Sequence, residues 1–423
     1  MVPIPDKLSV VFFTALDIKF GGGGEQALIE YVKNAPNDFD ITVVHTDFLP
    51  GGTSRLSEDE INRMLSKARV FKIKSPNVSF DFLRKNKISL VFLNYFIRPF
   101  FISLAMRLRN SETLKSIQKT NLVYLFQNEY AHFFNSKKSV IVGSTHIMDI
   151  WHMKWIKKAL DILYGRNLFS NKISAFHILH YPVKNVELLG GRKYEVIPNG
   201  VDAASFYPVK RTVHTLKFLF SARLEPNKGL MVVLNAWNRL ILSNPNFDVE
   251  LHISGSGSVN VQSNNKMKIV YHGFLNRVDL ANLFGTCDVF LAPTMADTFS
   301  IVTLEALSSG MYVIASNHLK GVFDEFERMN ALTYCSPNED SFYNLMVQVY
   351  QNFNYNLKNR AIVHQYVEEN YSWQAVCNKL YAFLRSLTRT ITELEHHDDN
   401  IIEKNRYIKS MRKVVFRIME VTS

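Results

Sequence analysis

Four short clusters in this 423-residue sequence bring together residue types that hold anions and hydroxyl groups. The most demanding is Ser221-Ala-Arg223-Leu-Glu-Pro-Asn-Lys228-Gly229, where an apolar run closes on an arginine and a lysine follows five residues later, as a helical pattern starts. Two cations converging on one crevice are what a diphosphate requires. Gly255-Ser-Gly257 and His272-Gly273-Phe274 each close a strand-like run with glycine, which lets a flat ring or a phosphate approach the backbone. Asp297 and Glu305 then stand eight residues apart, the first on a loop and the second about one turn into a helix. That spacing lets both carboxylates face a ligand held at the helix N-terminus.

A fourth cluster, Gly21-Gly22-Gly23-Gly24, separates the first apolar run from a helical pattern and suits a backbone anion cradle. Gly22-x-Gly24-x-x-Ala27 also fits a dinucleotide fingerprint, with Asp47 placed to meet a ribose, so an NAD-dependent oxidoreductase stays open as one reading. A purely structural tight turn is the other. Asp38-Phe-Asp40 has the form of a metal-binding D-x-D but sits in a turn before a strand. His396-His-Asp-Asp399 cannot turn four adjacent side chains to one ion, so a solvated linker is expected. Nucleophile elbows, zinc spacings and P-loops are absent from the sequence. No resident metal is expected.

The elements that must carry these clusters alternate along the chain. Strand-like runs at 8–16, 39–45, 88–95, 121–127, 174–180 and 194–198 are interleaved with helical patterns at 25–34 and 100–119. The series restarts at 216–224, with further strands at 249–254, 268–274, 289–293 and 311–316 and helices at 230–242, 279–287 and 300–309. Such alternation predicts parallel sheets covered on both faces, an α/β class, and two series predict two Rossmann-like doubly wound domains. The polar stretch 202–215 is the expected seam, giving domains at 1–208 and 209–385. A helix is predicted over 373–394, and residues 386–423 form a basic, helical, amphipathic tail.

Composition narrows the partners. The net charge is +11, distributed as +9 over residues 1–208, −2 over 209–400 and +4 over 401–423. A basic first half around a neutral middle calls for an anionic partner. With no nucleic-acid-binding signature, an anionic membrane surface or phosphorylated ligands are expected, not nucleic acid. Trp151-His-Met-Lys154-Trp155-Ile-Lys157-Lys158 and the tail, where Ile408, Met411, Val415 and Ile418 recur at helical spacing, are the expected contacts with such a surface. No apolar run is long enough to span a bilayer, and three cysteines in no metal or disulfide pattern fit a reducing compartment. The expected location is cytoplasmic, peripheral on the inner face of a membrane. The apolar run behind Lys7 leads into Asp17 and glycines, so a buried first strand is expected there, not a signal peptide.

In order, Gly21 to Gly24, Val196-Ile-Pro-Asn-Gly-Val-Asp202, Arg223 with Lys228-Gly229, Gly255-Ser-Gly257, Gly273, Pro293 and the acid pair Asp297/Glu305 resemble the family 4 retaining glycosyltransferases. The resemblance covers most of residues 8–380 and is most secure over 194–316. It implies the GT-B fold, two Rossmann-like doubly wound domains facing a central cleft, the first on the acceptor side and the second on the donor side. It implies transfer of a sugar from a UDP- or GDP-linked donor to a glycolipid, lipid-linked or polysaccharide acceptor, with no obligatory metal. Arg223 and Lys228 would neutralise the diphosphate and Asp297 would meet sugar hydroxyls. Glu305 would bind the ribose, and the amides of Phe299, Ser300 and Ile301 would cap the phosphate. His272, Gly273 and Phe274 would line the base, with Gly22, Gly23, Asn199, Gly200 and Gly255 completing the donor site. The family often has glutamate where this chain has Asp297, which keeps an inactive partner subunit as an alternative. Its acceptor-side histidine has two matching places here, Glu129 to His132 and His146, and both stay open.

Overall fold

The computed structural model describes residues 7–15, 17–20, 23–46, 56–73, 120–134, 139–144, 173–179, 192–209, 215–257, 263–295, 297–352 and 360–387. These fall into two compact units, one comprising Met1–Ile178, Lys184–Glu195 and Leu380–Ser423, the other Leu179–Val183 and Val196–Lys379.

The first unit is built on a seven-stranded sheet in the order β3-β2-β1-β4-β5-β6-β7. Its strands are β1 (Leu8–Phe13), β2 (Phe39–Thr46), β3 (Ala68–Ile73), β4 (Leu122–Leu125), β5 (Val140–Ser144), β6 (Ala175–Ile178) and β7 (Lys193–Val196). Pairing from β3 through β6 is parallel, with Val10 opposite Ile41 on one side and Leu122 on the other. Val10 to Phe13 are all fully buried, as parallel strands covered on both faces must be. Helices α1 (Gly23–Lys33) and α2 (Glu58–Met64) accompany the sheet, and Ser57 and Glu60 close a capping box on α2.

The second unit carries a six-stranded sheet in the order β10-β9-β8-β11-β12-β13, every pair parallel. Its strands are β8 (Leu216–Ser221), β9 (Val249–Ser254), β10 (Ile269–Tyr271), β11 (Val289–Ala292), β12 (Tyr312–Ser316) and β13 (Leu332–Cys335). The helices are α3 (Leu230–Ser243), α4 (Arg277–Thr286), α5 (Ile301–Ser308), α6 (Asp324–Arg328), α7 (Glu339–Gln351), α8 (Arg360–Tyr371) and α9 (Trp373–Ser386). The two-residue period of the strands divides the core. Phe218, Phe220, Val289 and Leu291 join Trp237 of α3 on one face, while Leu219, Phe290 and Ala292 join Phe284 of α4 and Leu304 of α5 on the other.

The sequence boundaries shift in two places. Residues 196–208 group with the second unit because Val201 and Phe206 are buried in its core and Val201 exchanges backbone hydrogen bonds with Tyr371 and Trp373. The end of α9 groups with the first unit. There Tyr381 donates to the Tyr31 carbonyl at 2.7 Å and packs on Phe39, and Arg385 holds Asp38 through two 2.8 Å hydrogen bonds. The D-x-D reading therefore ends in two ion pairs, Asp38 with Arg385 and Asp40 with Arg69. The expected elements at 88–95 and 100–119, the aromatic-basic segment 151–158, His396 to Asp399 and the tail lie outside the described residues. Among the described residues no helix is long and apolar enough to cross a membrane.

Candidate functional site

Both sheets reverse strand order at one point, β1 beside β4 in the first unit and β8 beside β11 in the second. Loops leaving the carboxyl ends of two such strands diverge to opposite faces and open a crevice where ligands bind in doubly wound folds. In the second unit the loops leaving β8 and β11 carry Arg223, Lys228, Asp297 and the start of α5.

Local chemistry fixes these loops. After β8 the chain makes a short 3-10 turn, Pro226–Lys228, with proline at its start, and Gly229 ends it at φ 78° before α3 begins. A Cβ at Gly229 would also sit 2.4 Å from the Pro293 carbonyl oxygen, so the two loops touch through a glycine. Met295 N–H donates to the Asn227 carbonyl at 2.8 Å, which ties them again. Across that contact Lys228 Nζ lies 2.8 Å from Asp297 Oδ2, the side chains 17% and 20% exposed. Asp297 is thus an ion-pair partner and not the cap of α5. Ser300 is the cap, accepting from Thr303 N–H at 3.4 Å and from the Thr303 hydroxyl at 2.8 Å. The amides of Phe299 and Ser300 directly precede α5 and that of Ile301 opens it, at the helix's positive end. Phe299 itself is buried against Phe323 and Ile301 is buried in the core, so their side chains anchor the helix start. Arg223 is 59% exposed and pairs with Glu225 at 3.0 Å.

Glu305 lies on the second turn of α5 and is 1% exposed, so it is no solvated helix face. Its Oε1 accepts from Arg277 Nη1, while Oε2 and Arg277 Nη2 are buried with no hydrogen-bond partner among the described residues. Burial raises the Glu305 carboxyl above the usual range, and the Arg277 charge opposes that rise. The sequence reading did not single out Arg277. It stands at the first helical position of α4, where the helix macrodipole disfavours a cation, and that misfit is the signal that could have found it.

The remaining expected residues divide. His272 bonds His252 across 2.9 Å, and His252 also reaches Glu250 at 3.2 Å. Burial lowers both histidines below their ordinary value. Gly273 takes φ 67°, with open space where a Cβ would stand, and Phe274 is 56% exposed beside it. Gly200 and Gly255 are glycines for packing. A Cβ would fall 2.6 Å from the Trp373 ring at the first, and 1.8 Å from the Ala222 carbonyl at the second, where φ is 132°. Asn199 is buried with its Oδ1 unpartnered among the described residues. Gly23 opens α1 in the first unit and is exposed. Glu129 and His132 fall in a 3-10 helix, Asn128–Phe133, after β4. Gly22, Asp47 and His146 lie outside the described residues.

The comparisons with known proteins agree with this geometry. Residues 215–352, which hold the switch-point loops and both acids, match the family described as Glycosyl transferases group 1. Over 161 residues the chain is 37% identical to a phosphatidyl-myo-inositol mannosyltransferase of Mycolicibacterium smegmatis, a match covering 34% of this chain and 38% of that protein. The chain thus aligns with less than two-fifths of that relative's length. A longer match, 26% identical over 363 residues, covers 73% of this chain and 88% of the Escherichia coli UDP-Gal:alpha-D-GlcNAc-diphosphoundecaprenol alpha-1,3-galactosyltransferase. Among solved structures, sucrose-phosphate synthase of Thermosynechococcus elongatus superposes with TM-score 0.66 at 11% identity, covering 91% of this chain and all of that one. Anabaena HepE in complex with UDP and glucose gives 0.62 at 14% identity, covering 90% and 100%. The fold is GT-B, and the chain resembles the group 1 glycosyltransferases of that fold.

Proposed function

We propose that the chain is a retaining glycosyltransferase that moves a sugar from a nucleotide diphosphate sugar to a lipid-linked, glycolipid or polysaccharide acceptor. The observation that carries this is the Lys228–Asp297 contact at the switch point, with the N-terminus of α5 beside it. One cation, one carboxylate and a helix N-terminus are the groups needed to hold a diphosphate and a sugar hydroxyl in one place. Lys228 and Arg223 neutralise charge that grows on the diphosphate as the glycosyl bond breaks. The leaving phosphate oxygen takes the acceptor's proton on the face it departs from, so configuration is kept without a protein nucleophile. Glu305 holds the ribose, and Asp297 orients the sugar.

The acceptor class is supported by the relatives, whose names give phosphatidyl-myo-inositol and a diphosphoundecaprenol-linked sugar as the groups they act on. The +9 charge of residues 1–208 supports work at an anionic membrane surface. The test is incubation of the full chain with radiolabelled UDP- and GDP-sugars and membrane lipid extract, followed by proton NMR of the product. Label entering the lipid phase with the donor's anomeric configuration is the expected result. No transfer from any donor rejects the proposal, and inverted configuration rejects the mechanism.

A further inference from the structure

Glu305 is held from one side only. Its Oε1 meets Arg277 Nη1, and the guanidinium carbon lies over the Phe206 ring, 4.7 Å from its centroid. Phe206 is itself fixed, fully buried, with its carbonyl taking the Ser308 hydroxyl hydrogen of α5. The arginine cannot swing without leaving an aromatic face and a carboxylate together. What remains is one acceptor, Glu305 Oε2, and one donor, Arg277 Nη2, both buried and both without partners among the described residues. Leaving buried polar groups unmade is costly, so such a pair is expected to be completed by a ligand.

We propose that Arg277 is a positioning residue that acts through Glu305, fixing the carboxylate with one oxygen turned to accept from a vicinal diol. The inference rests on the glycosyltransferase reading and adds to it the residue that makes the donor site choose ribose. Bound by both its oxygens to arginine, the carboxylate would be spent. Bound by neither, it would take up a proton in its buried place, because desolvation favours the neutral form. Arg277 attached through a single nitrogen avoids both states. Among the described residues Asp202, from the segment preceding Phe206, also acts on Glu305, and it too favours the protonated form. Asp202 is occupied locally by the Ser205 hydroxyl at 2.6 Å and amide at 3.3 Å.

The experiment measures dissociation constants of UDP and GDP and of their 2′-deoxy and 3′-deoxy forms for the full chain and for Arg277→Lys and Arg277→Gln. The parent is expected to prefer the ribose forms by at least roughly tenfold, the low end of one hydrogen bond to a charged group. Arg277→Gln should shrink that preference to within about twofold, with Arg277→Lys recovering part of it, since a lysine restores the charge but not the flat fork. A merely structural ion pair would weaken ribose and deoxyribose ligands alike and leave their ratio unmoved, which overturns the proposal. Should Arg277→Gln fail to fold, the parent and Arg277→Lys decide. Equal affinity of the parent for ribose and deoxyribose forms overturns the proposal and leaves the glycosyltransferase reading intact. If the parent binds no nucleoside diphosphate, both fall.

Discussion

Asp297 pairs with Lys228, so a ligand's phosphate must compete with it for the lysine and the two residues should respond to mutation in opposite directions. Two unit charges 2.8 Å apart attract by roughly 1.5 to 6 kcal/mol before other costs, for an effective dielectric between that of water and about 20. Desolvation and side-chain ordering consume most of this, leaving about 1 to 2 kcal/mol for a pair as sheltered as this one. A diphosphate must draw Lys228 into a shared contact against that attraction. Lys228→Met removes a charge-assisted phosphate contact of about 1.5–3 kcal/mol, so nucleoside diphosphate affinity should fall roughly 10- to 150-fold. Asp297→Asn releases the lysine and should tighten the same ligand, by up to about tenfold, while sugar transfer is lost. In the double variant the gain from Asp297→Asn should largely vanish, a coupling of at least about 0.5 kcal/mol between the two sites. Titration calorimetry with UDP and GDP gives the affinities, and label transfer gives the rate. Unchanged affinity in Lys228→Met, or strictly additive effects in the double variant, would refute the reasoning.

Gly255→Ala should cost at least about 1–2 kcal/mol, because φ of 132° is strained for any L side chain and its Cβ would press on the Ala222 carbonyl; a urea midpoint equal to the parent's would contradict this. Tyr381→Phe removes a buried hydrogen bond to the Tyr31 carbonyl and should destabilise by about 0.5–1.5 kcal/mol, read by thermal unfolding, with no loss expected if that contact is absent in solution. Burial first, and Lys217 after it for His272, holds His252 and His272 below the ordinary histidine value of about 6.5. A depressed histidine contributes stability that is present above its unfolded value and is lost as pH falls through the folded one. The chain should therefore weaken as pH drops from about 6.5, and His252→Leu should flatten that dependence in urea unfolding; parallel curves would count against the buried pair.

Strands of the second unit and the loops after them were readable in the sequence, because β8, β9 and β11 are short apolar runs closed by glycine, serine or proline. The sequence did not reveal β3, an edge strand whose Arg69 and Lys72 break the apolar pattern, β13, an edge strand buried only at Leu332, or β5. Arg223, Lys228, Asp297 and Glu305 stood out as candidate site residues from local spacing. Their partners did not: Lys228 meets Asp297 across 69 positions and Glu305 meets Arg277 across 28, and only sheet order brings such residues together. Gly200 and Gly255 also meet close ring and backbone packing that no local pattern shows. The end of α9 was continuous with its start in periodicity, so its passage from one unit's core to the other's left no mark in the sequence.

On the proposed reading, the switch-point site of the second unit holds the diphosphate of a sugar nucleotide. That reading is tested most directly by following the thermal unfolding of the full chain against UDP, GDP and ADP and their sugar conjugates, in parallel with Lys228→Met. At about 100 times its dissociation constant a ligand of the folded state adds roughly 2.7 kcal/mol to stability. A clear upward shift is expected with one nucleotide family, shared by the diphosphate and its sugar conjugate and absent or much reduced in the lysine variant. No shift with any of these ligands, or a shift of the same size in Lys228→Met, would contradict it.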